Sequence, residues 1–332
     1  MRKLASIRII EDVNPIAKVD FIERVRIGGW RCVVKKGEFK IGDKCVYFEI
    51  DSLLPIREPF LFLEKTCAKA KCIYEGQEVE GLRLRTMTFR GQVSQGLALP
   101  LSMFPGITDT VGEDVTKTLN VAKYELILTK DMADDIAGCF PGYISKTDEE
   151  RIQNLTSILD EYRGRVFYES EKVDGTSSTF AKYDNEFDAY QKAVRLKRNS
   201  DNVYWKIVRK YNLLEKLPNN FAIQGEVVGP GVEGKLGLSD TECFVFGVFD
   251  INTAMLLGLD DMCHFVKDLG MKTVPIIDEN FILNHTCDQL LELVERKSLI
   301  NPKINAEGAV FRLRDSIEKI SFKVISNKYE EP

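Results

Sequence analysis

The sequence predicts two folded parts, a small all-β barrel at the N-terminus and an α+β domain built on antiparallel sheets after it. Three observations carry this. Over the first 100 residues apolar and polar side chains alternate with a period of two between glycine turns, and helical periodicity is almost absent. Residues 103–145 are rich in turn formers, as in MFPGITDTVGEDV and GCFPGYISK. Beyond them strand-like and helix-like segments interleave.

In the first part the strands are LASIRII, IERVRI, WRCVVKKG, KCVYFEI, GLRLRTMTFRG and QGLALP, punctuated by Gly28-Gly29, Gly37, Gly42-Asp43 and Gly91. Short strands with such turns suit a five-stranded barrel of the OB type over residues 1–125. In GLRLRTMTFRG, Leu82 and Leu84 share one face of the strand, Arg83 and Arg85 share the other, and Phe89 and Arg90 follow. Arginines for phosphates beside a ring for stacking suit a nucleic-acid-binding face, although a solvated strand face gives the same pattern. The second part, 126–332, opens with Thr147 and Glu150 spaced as a capping box ahead of the stripe Ile152, Leu155, Ile158 and Leu159, which predicts a helix. Further strands are expected at 166–171, 177–183, 188–195, 221–228, 243–251, 308–314 and 319–325, with helices near 202–215, 259–269 and 287–297.

Composition narrows the function. With 44% hydrophobic and 29% charged residues the chain is ordinary globular material, and no apolar run is long enough to span a membrane. Eight cysteines lie scattered without zinc-site spacing, which favours reduced thiols in an intracellular protein, cytoplasmic or nuclear. Two histidines, His264 and His285, are too few for a histidine-rich metal site. Residues 1–125 hold 20 Lys/Arg against 17 Asp/Glu, a net +3, whereas the remainder carries −8. A basic first domain on an acidic protein fits a nucleic-acid face. Nucleotide loops of the Walker and Rossmann kinds are missing, since GPGVEG near 229–234 lacks the G-K-[ST] ending.

The chemistry concentrates around ESEKVDGTSSTF, where Lys172 follows Glu171 and precedes Asp174-Gly175. K-x-D-G alone turns up by chance in roughly one chain in ten of this size. Its setting is more informative. After it come FAIQGEVVG with Glu226, FVFGVFDI with Phe246 and Phe249, EGAVFRLR opening on Glu307, and KISFKVISNK with Lys319 and Lys323.

This ordered set resembles the covalent nucleotidyltransferases, namely ATP-dependent RNA and DNA ligases and messenger-RNA capping enzymes. KVDG looks like motif I, IQGEVVG like motif III, FGVFDI like motif IIIa, AEGAVFR like motif IV and SFKVIS like motif V. LKRN, Leu196 to Asn199, looks like motif Ia, and KTDEERIQN resembles the segment upstream of motif I in the RNA ligase 2-like group. The barrel precedes motif I, and nine residues follow Lys323. That order is similar to RNA ligases with an N-terminal OB module, which seal 3′-OH and 5′-phosphate RNA ends at nicks in duplexes, a repair reaction. DNA ligases and capping enzymes place the OB domain after motif V. One departure stands out: motif V of the family is often K-x-K, but here reads Ser321-Phe322-Lys323, leaving Lys319 or Lys328 to supply a second charge. A catalytically dead OB nucleic-acid-binding protein is the rival from another class, and the intact Lys172, Asp174, Glu226, Glu307 and Lys323 argue against it.

The resemblance implies roles. Lys172 attacks the α-phosphorus of ATP to form lysyl-AMP, AMP passes to the RNA 5′-phosphate, and the 3′-OH displaces it. Lysine must lose its proton to attack, and positive charge from Lys323 and Mg²⁺ or Mn²⁺ is expected to lower its pKa. Asp174 and Glu307 are placed to hold that ion through water, Glu226 to bind ribose, and Phe249, or else Phe246, to stack on adenine. Arg151 and Arg198 are forks for phosphate. Glu171 is either a nucleotide contact or an ordinary strand charge. No protein partner is inferred.

Overall fold

A computed structural model describes residues 3–16, 19–74, 77–124, 135–192, 194–198, 201–232, 234–314 and 320–330. The chain divides into two compact units, the first reaching residue 128 and the second covering 129–330. The division expected between residues 125 and 126 lies outside the described residues, as do Lys319 and Asn199.

The first unit is all-β: β1 (Ala5–Ile9), β2 (Asp12–Pro15), β3 (Ile22–Ile27), β4 (Trp30–Lys35), β5 (Lys44–Phe48), β6 (Ser52–Leu54), β7 (Lys69–Tyr74), β8 (Gln77–Arg83), β9 (Met87–Phe89), β10 (Gln92–Ser94), β11 (Leu97–Pro100) and β12 (Ala122–Lys123). β5 lies antiparallel between β1 and β11, pairing Phe48 with Ala5 and Tyr47 with Ala98. Its alternation explains why KCVYFEI is apolar throughout. Val46 and Phe48 enter one buried cluster with Ile7, Leu54 and Leu82. Cys45 and Tyr47 enter a second with Val25, Trp30 and Cys32. A strand covered on both faces has no polar side to display, and each large side chain so buried contributes about 1.5–3 kcal/mol.

GLRLRTMTFRG is not one strand. Leu82 and Leu84 are buried as expected, but β8 ends at Arg83, and Arg90 sits with φ 51° in the turn joining β9 to β10. A type of turn that needs positive φ at Arg90 and Gly91 breaks the extended run that alternation alone predicts.

The second unit holds two antiparallel systems. Its strands are β13 (Ile136–Cys139), β14 (Val166–Lys172), β15 (Thr176–Tyr183), β16 (Glu186–Gln191), β17 (Val194–Leu196), β18 (Phe221–Val228), β19 (Glu242–Asp250), β20 (Met255–Leu256), β21 (Lys272–Thr273), β22 (Ile276–Ile282), β23 (Gly308–Leu313) and β24 (Ser321–Ile325). The larger sheet runs β13-β17-β16-β15-β18-β19-β20, with β21 parallel beside β19. The smaller runs β22-β14-β23-β24. The helix Val203–Lys210 starts where Asn202 accepts a hydrogen bond from the Trp205 amide at 3.0 Å. It buries Trp205, Ile207 and Val208 against Phe180, Ile223 and Val245 of the larger sheet, together with the helix Leu259–Asp268. On the smaller sheet Phe167, Phe311 and Phe322 pack with Ile152, Leu159 and the helix Cys287–Leu293. The strand alternation then leaves the polar faces of both sheets for the site.

The helix expected to start at Thr147 does not form. A single 3-10 turn, Ile152–Asn154, and a short helix, Ile158–Glu161, take its place. Ile152 and Leu159 are buried as the stripe requires, but residues ahead of them are drawn onto β24, where Arg151 bridges Lys323 and the Lys323 amide donates to Glu150 O at 2.8 Å. The reciprocal capping box occurs instead at Thr286 and Gln289. Among the described residues no helix is long and apolar enough to cross a membrane.

Candidate active site

β14 presents alternate residues to its two sides. Phe167 enters the apolar cluster, and Glu171 is buried with its carboxylate held by Ser298 Oγ at 2.5 Å and the Leu299 amide at 2.7 Å. Glu171 therefore anchors the 298–299 turn on the side of β14 away from Lys172. Tyr168, Ser170 and Lys172 project to the other side. There the Lys172 ammonium meets Glu307 Oε1 at 2.6 Å. The register makes this pairing, because Lys172 lies opposite Gly308, the first residue of β23. The Ser326 amide pins the Glu307 carbonyl at 2.9 Å. Glu307 Oε2 is buried and has no hydrogen-bond partner among the described residues.

Gly308 allows this approach. It has φ 155°, and a Cβ there would lie 2.0 Å from Val324 O. Gly308→Ala is expected to destabilise the domain by about 3 kcal/mol, lowering its melting temperature by roughly 6–12 °C; differential scanning calorimetry checks this.

Two further carboxylates converge on the lysine. Glu226 stands on β18 opposite Ser177 of β15. Asp174 accepts at Oδ2 from the Lys235 amide at 2.8 Å and from the Tyr329 hydroxyl. Burial pulls the Lys172 pKa down, but Glu307, Glu226 and Asp174 together outweigh it and hold the ammonium above the ordinary lysine value. A divalent ion bound beside Lys323 would act against these three carboxylates and favour the free amine. Three acids need a counter-ion, and Lys172 is it. Burial likewise raises Glu307, against the pull of Lys172 and Lys323. Glu226 is pushed up to about 8 by burial, opposed by Lys172 and reinforced by Glu307 and Asp174.

Lys323 lies on β24 opposite Val310, with its ammonium 4.0 Å from Asp148, and the buried Arg151 sits beside it through the bridge described above. Two residues along the strand, on the same face, Arg312 lies opposite Ser321. Its guanidinium meets Glu149 Oε1 at 3.2 and 3.1 Å, donates to Phe246 O, and lies 5.7 Å from the Phe246 ring centre. Ser321 donates to the second oxygen of the same Glu149. Tyr168, Phe246, Phe249, Leu256, Arg312 and Ser321 help line a cavity of about 360 Å³. Phe249 is packed among Ile144, Ala181, Tyr190 and Ala222, whereas Phe246 is only partly buried.

Arg198 is engaged elsewhere, with Glu186 and, at 3.6 Å, Asp188. In the first unit Arg83 is committed to Asp51 at 3.4 Å and stacks 4.0 Å over Tyr124, while Arg85 and Arg90 are exposed. The sequence reading did not single out Arg312, Glu149, Lys235 or Tyr329. Arg312 had a signal, since it alternates with the apolar Ala309, Phe311 and Leu313 on β23; Tyr329 had none, 155 residues from its partner.

Comparison with known proteins bears on what this site is. An RNA ligase family model matches residues 165–325, and an OB-fold domain model matches residues 4–101. A ligand-free mutant of the Naegleria gruberi RNA ligase is 38% identical and superposes with a TM-score of 0.89, covering 99% of this chain and 98% of that one. The chain belongs to the RNA ligase family. The same Naegleria gruberi enzyme with pyrophosphate is 39% identical, with a TM-score of 0.87 over 99% of this chain and 98% of that one. A mutant of it holding ATP and Mn gives 38% identity and a TM-score of 0.89 over the same shares. No curated protein matches. As a member of the RNA ligase family, the chain combines an N-terminal OB fold with a domain of antiparallel sheets. It reaches this with Ser321, not lysine, at the first charged position of motif V.

Proposed function

We propose that this RNA ligase uses ATP to seal 3′-OH and 5′-phosphate RNA ends, foremost at nicks in duplexes, through lysyl-AMP and AMP-RNA intermediates. The reading rests above all on the Lys172–Glu307 pair at 2.6 Å, with Asp174, Glu226 and Lys323 gathered around it. Nucleotide and metal binding by the Naegleria gruberi relative support it. Lys172 Nζ releases a proton to solvent and its lone pair bonds to the α-phosphorus as the bond to the bridging α–β oxygen breaks and pyrophosphate leaves. Lys323 and Arg151 offer positive charge to the phosphates. Glu226 binds a ribose hydroxyl, and Phe246, the more accessible of the two rings, joins Phe249 as a surface for adenine.

The donor set fits a hydrated Mg²⁺ or Mn²⁺ at Asp174 and Glu307. Among the described residues Glu307 offers a buried oxygen without a partner, and no group of three or more metal-ligating side chains occurs; an ion that keeps most of its water needs only one or two carboxylates. Such an ion would supply positive charge at the α-phosphate.

Residues 1–125 are read as the RNA-holding domain and 126–332 as the adenylyltransferase. Arg83, Arg85 and Arg90 are the candidate phosphate contacts, Arg85 and Arg90 being exposed and Arg83 paired with Asp51. The eight free cysteines fit an intracellular setting. Deleting residues 1–125 is expected to spare the AMP adduct on Lys172 but to cut nick sealing by at least about tenfold at moderate salt, with the full-length enzyme losing its advantage as salt rises. Parallel assays of adduct yield and sealing across a salt series test this. Equal sealing by both forms would remove the barrel from RNA binding, and loss of the adduct would assign it a part in nucleotide transfer.

A further inference from the structure

Asp174 follows the nucleophile by two residues, on a loop that strand pairing does not hold. Among the described residues, both donors to its carboxylate meet Oδ2: the Lys235 amide at 2.8 Å and the Tyr329 hydroxyl. Tyr329 belongs to the short helix Asn327–Glu330, directly after the strand that carries Lys323. That turn is tied down on several sides. Lys328 pairs with Glu295 at 2.9 Å, and Asn305 Nδ2 donates to Lys328 O at 3.4 Å. Lys235 Nζ donates to Tyr329 O at 3.0 Å and lies 4.3 Å from its ring centre. Gly234 permits the approach of the Lys235 loop, because with φ 152° its Cβ would stand 2.9 Å from Asp174 O.

We propose that Tyr329 is a positioning residue that sets the rotation of the Asp174 carboxylate. Its hydroxyl and the Lys235 amide occupy Oδ2, which leaves Oδ1 as the oxygen to face an ion. A carboxylate with one oxygen fixed presents the other to a hydrated cation at a set angle, and such outer contacts govern metal affinity by about ten- to a hundredfold. The inference rests on the reading of this site as an adenylyltransferase centre that holds a divalent ion.

The test separates orientation from stability and from turnover. Tyr329→Phe removes only the hydroxyl. In a Lys172→Met background, which forms no adduct, Mn²⁺ binding in the presence of ATP is measured by electron paramagnetic resonance. Adding Tyr329→Phe is expected to raise the Mn²⁺ dissociation constant about tenfold while shifting the melting temperature by less than about 4 °C. With Lys172 intact, the same change is expected to raise the Mn²⁺ half-saturation of adduct formation by the same factor, leaving the rate at saturating Mn²⁺ near that of the parent. Unchanged Mn²⁺ affinity, with or without a lowered melting temperature, overturns the proposal. So does an equal loss of affinity in Lys235→Met, which loosens the tail but keeps the hydroxyl, because the packing of the tail would then set Asp174. Failure of the unaltered enzyme to form any adduct overturns the adenylyltransferase reading itself, while the Mn²⁺ titration still reports on Tyr329 separately.

Discussion

Lys172→Met is expected to abolish the AMP adduct, a loss of at least about a thousandfold, in a protein that still folds. Methionine keeps the length of the lysine stem and its packing at the end of β14, but it has no amine to attack phosphorus. The structural cost is modest for a specific reason. The pair with Glu307 is broken, yet Glu307 is already raised in pKa by burial, so it can take up a proton instead of remaining as an unpaired charge. A destabilisation of roughly 1–2 kcal/mol follows, below the full penalty for stranding a buried ion. Intact mass after incubation with ATP and metal, together with a melting curve, checks both halves. An adduct at parental yield would remove Lys172 from its role.

Glu307→Ala should have the next largest effect. It removes the partner of Lys172 at 2.6 Å and the buried oxygen that no other described group satisfies, so it strikes lysine placement and ion binding together. We expect adduct formation to fall by about a hundredfold or more, with a metal half-saturation at least about tenfold higher in the residual activity. Asp174→Ala should show the same shift in metal dependence with a smaller loss of rate, because Asp174 reaches Lys172 through charge and not through a direct pair. RNA binding should be unchanged in both variants. Single-turnover adduct formation over a metal series, beside an RNA-binding isotherm, reads the two quantities. Metal titrations matching the parent would refute both assignments.

Much of this site was legible before the fold was known, because it is written in strands. Lys172, Glu226 and Lys323 sit at strand positions whose alternation fixes the side they face, Glu307 stands directly before β23, and the order of the strands brings them together. The segment Thr147 to Glu150 shows the limit. Its spacing suits a capping box, but the gain from pairing beside β24 and from feeding Glu149 to Arg312 and Ser321 overrides that local preference. Tyr329 is a harder case, since its role depends on a contact with Asp174 that no local pattern encodes. The depth and number of the carboxylates around Lys172, which hold its pKa up before any ion binds, are likewise set by tertiary packing and not by local sequence.

The most direct test of the central claim is intact mass spectrometry of the protein incubated with Mn²⁺ and either ATP or GTP, followed by peptide mapping. The account requires one adenylate per chain from ATP, located on Lys172, and no nucleotide from GTP. An unmodified chain, an adenylate on another residue, or a guanylate on Lys172 would contradict it.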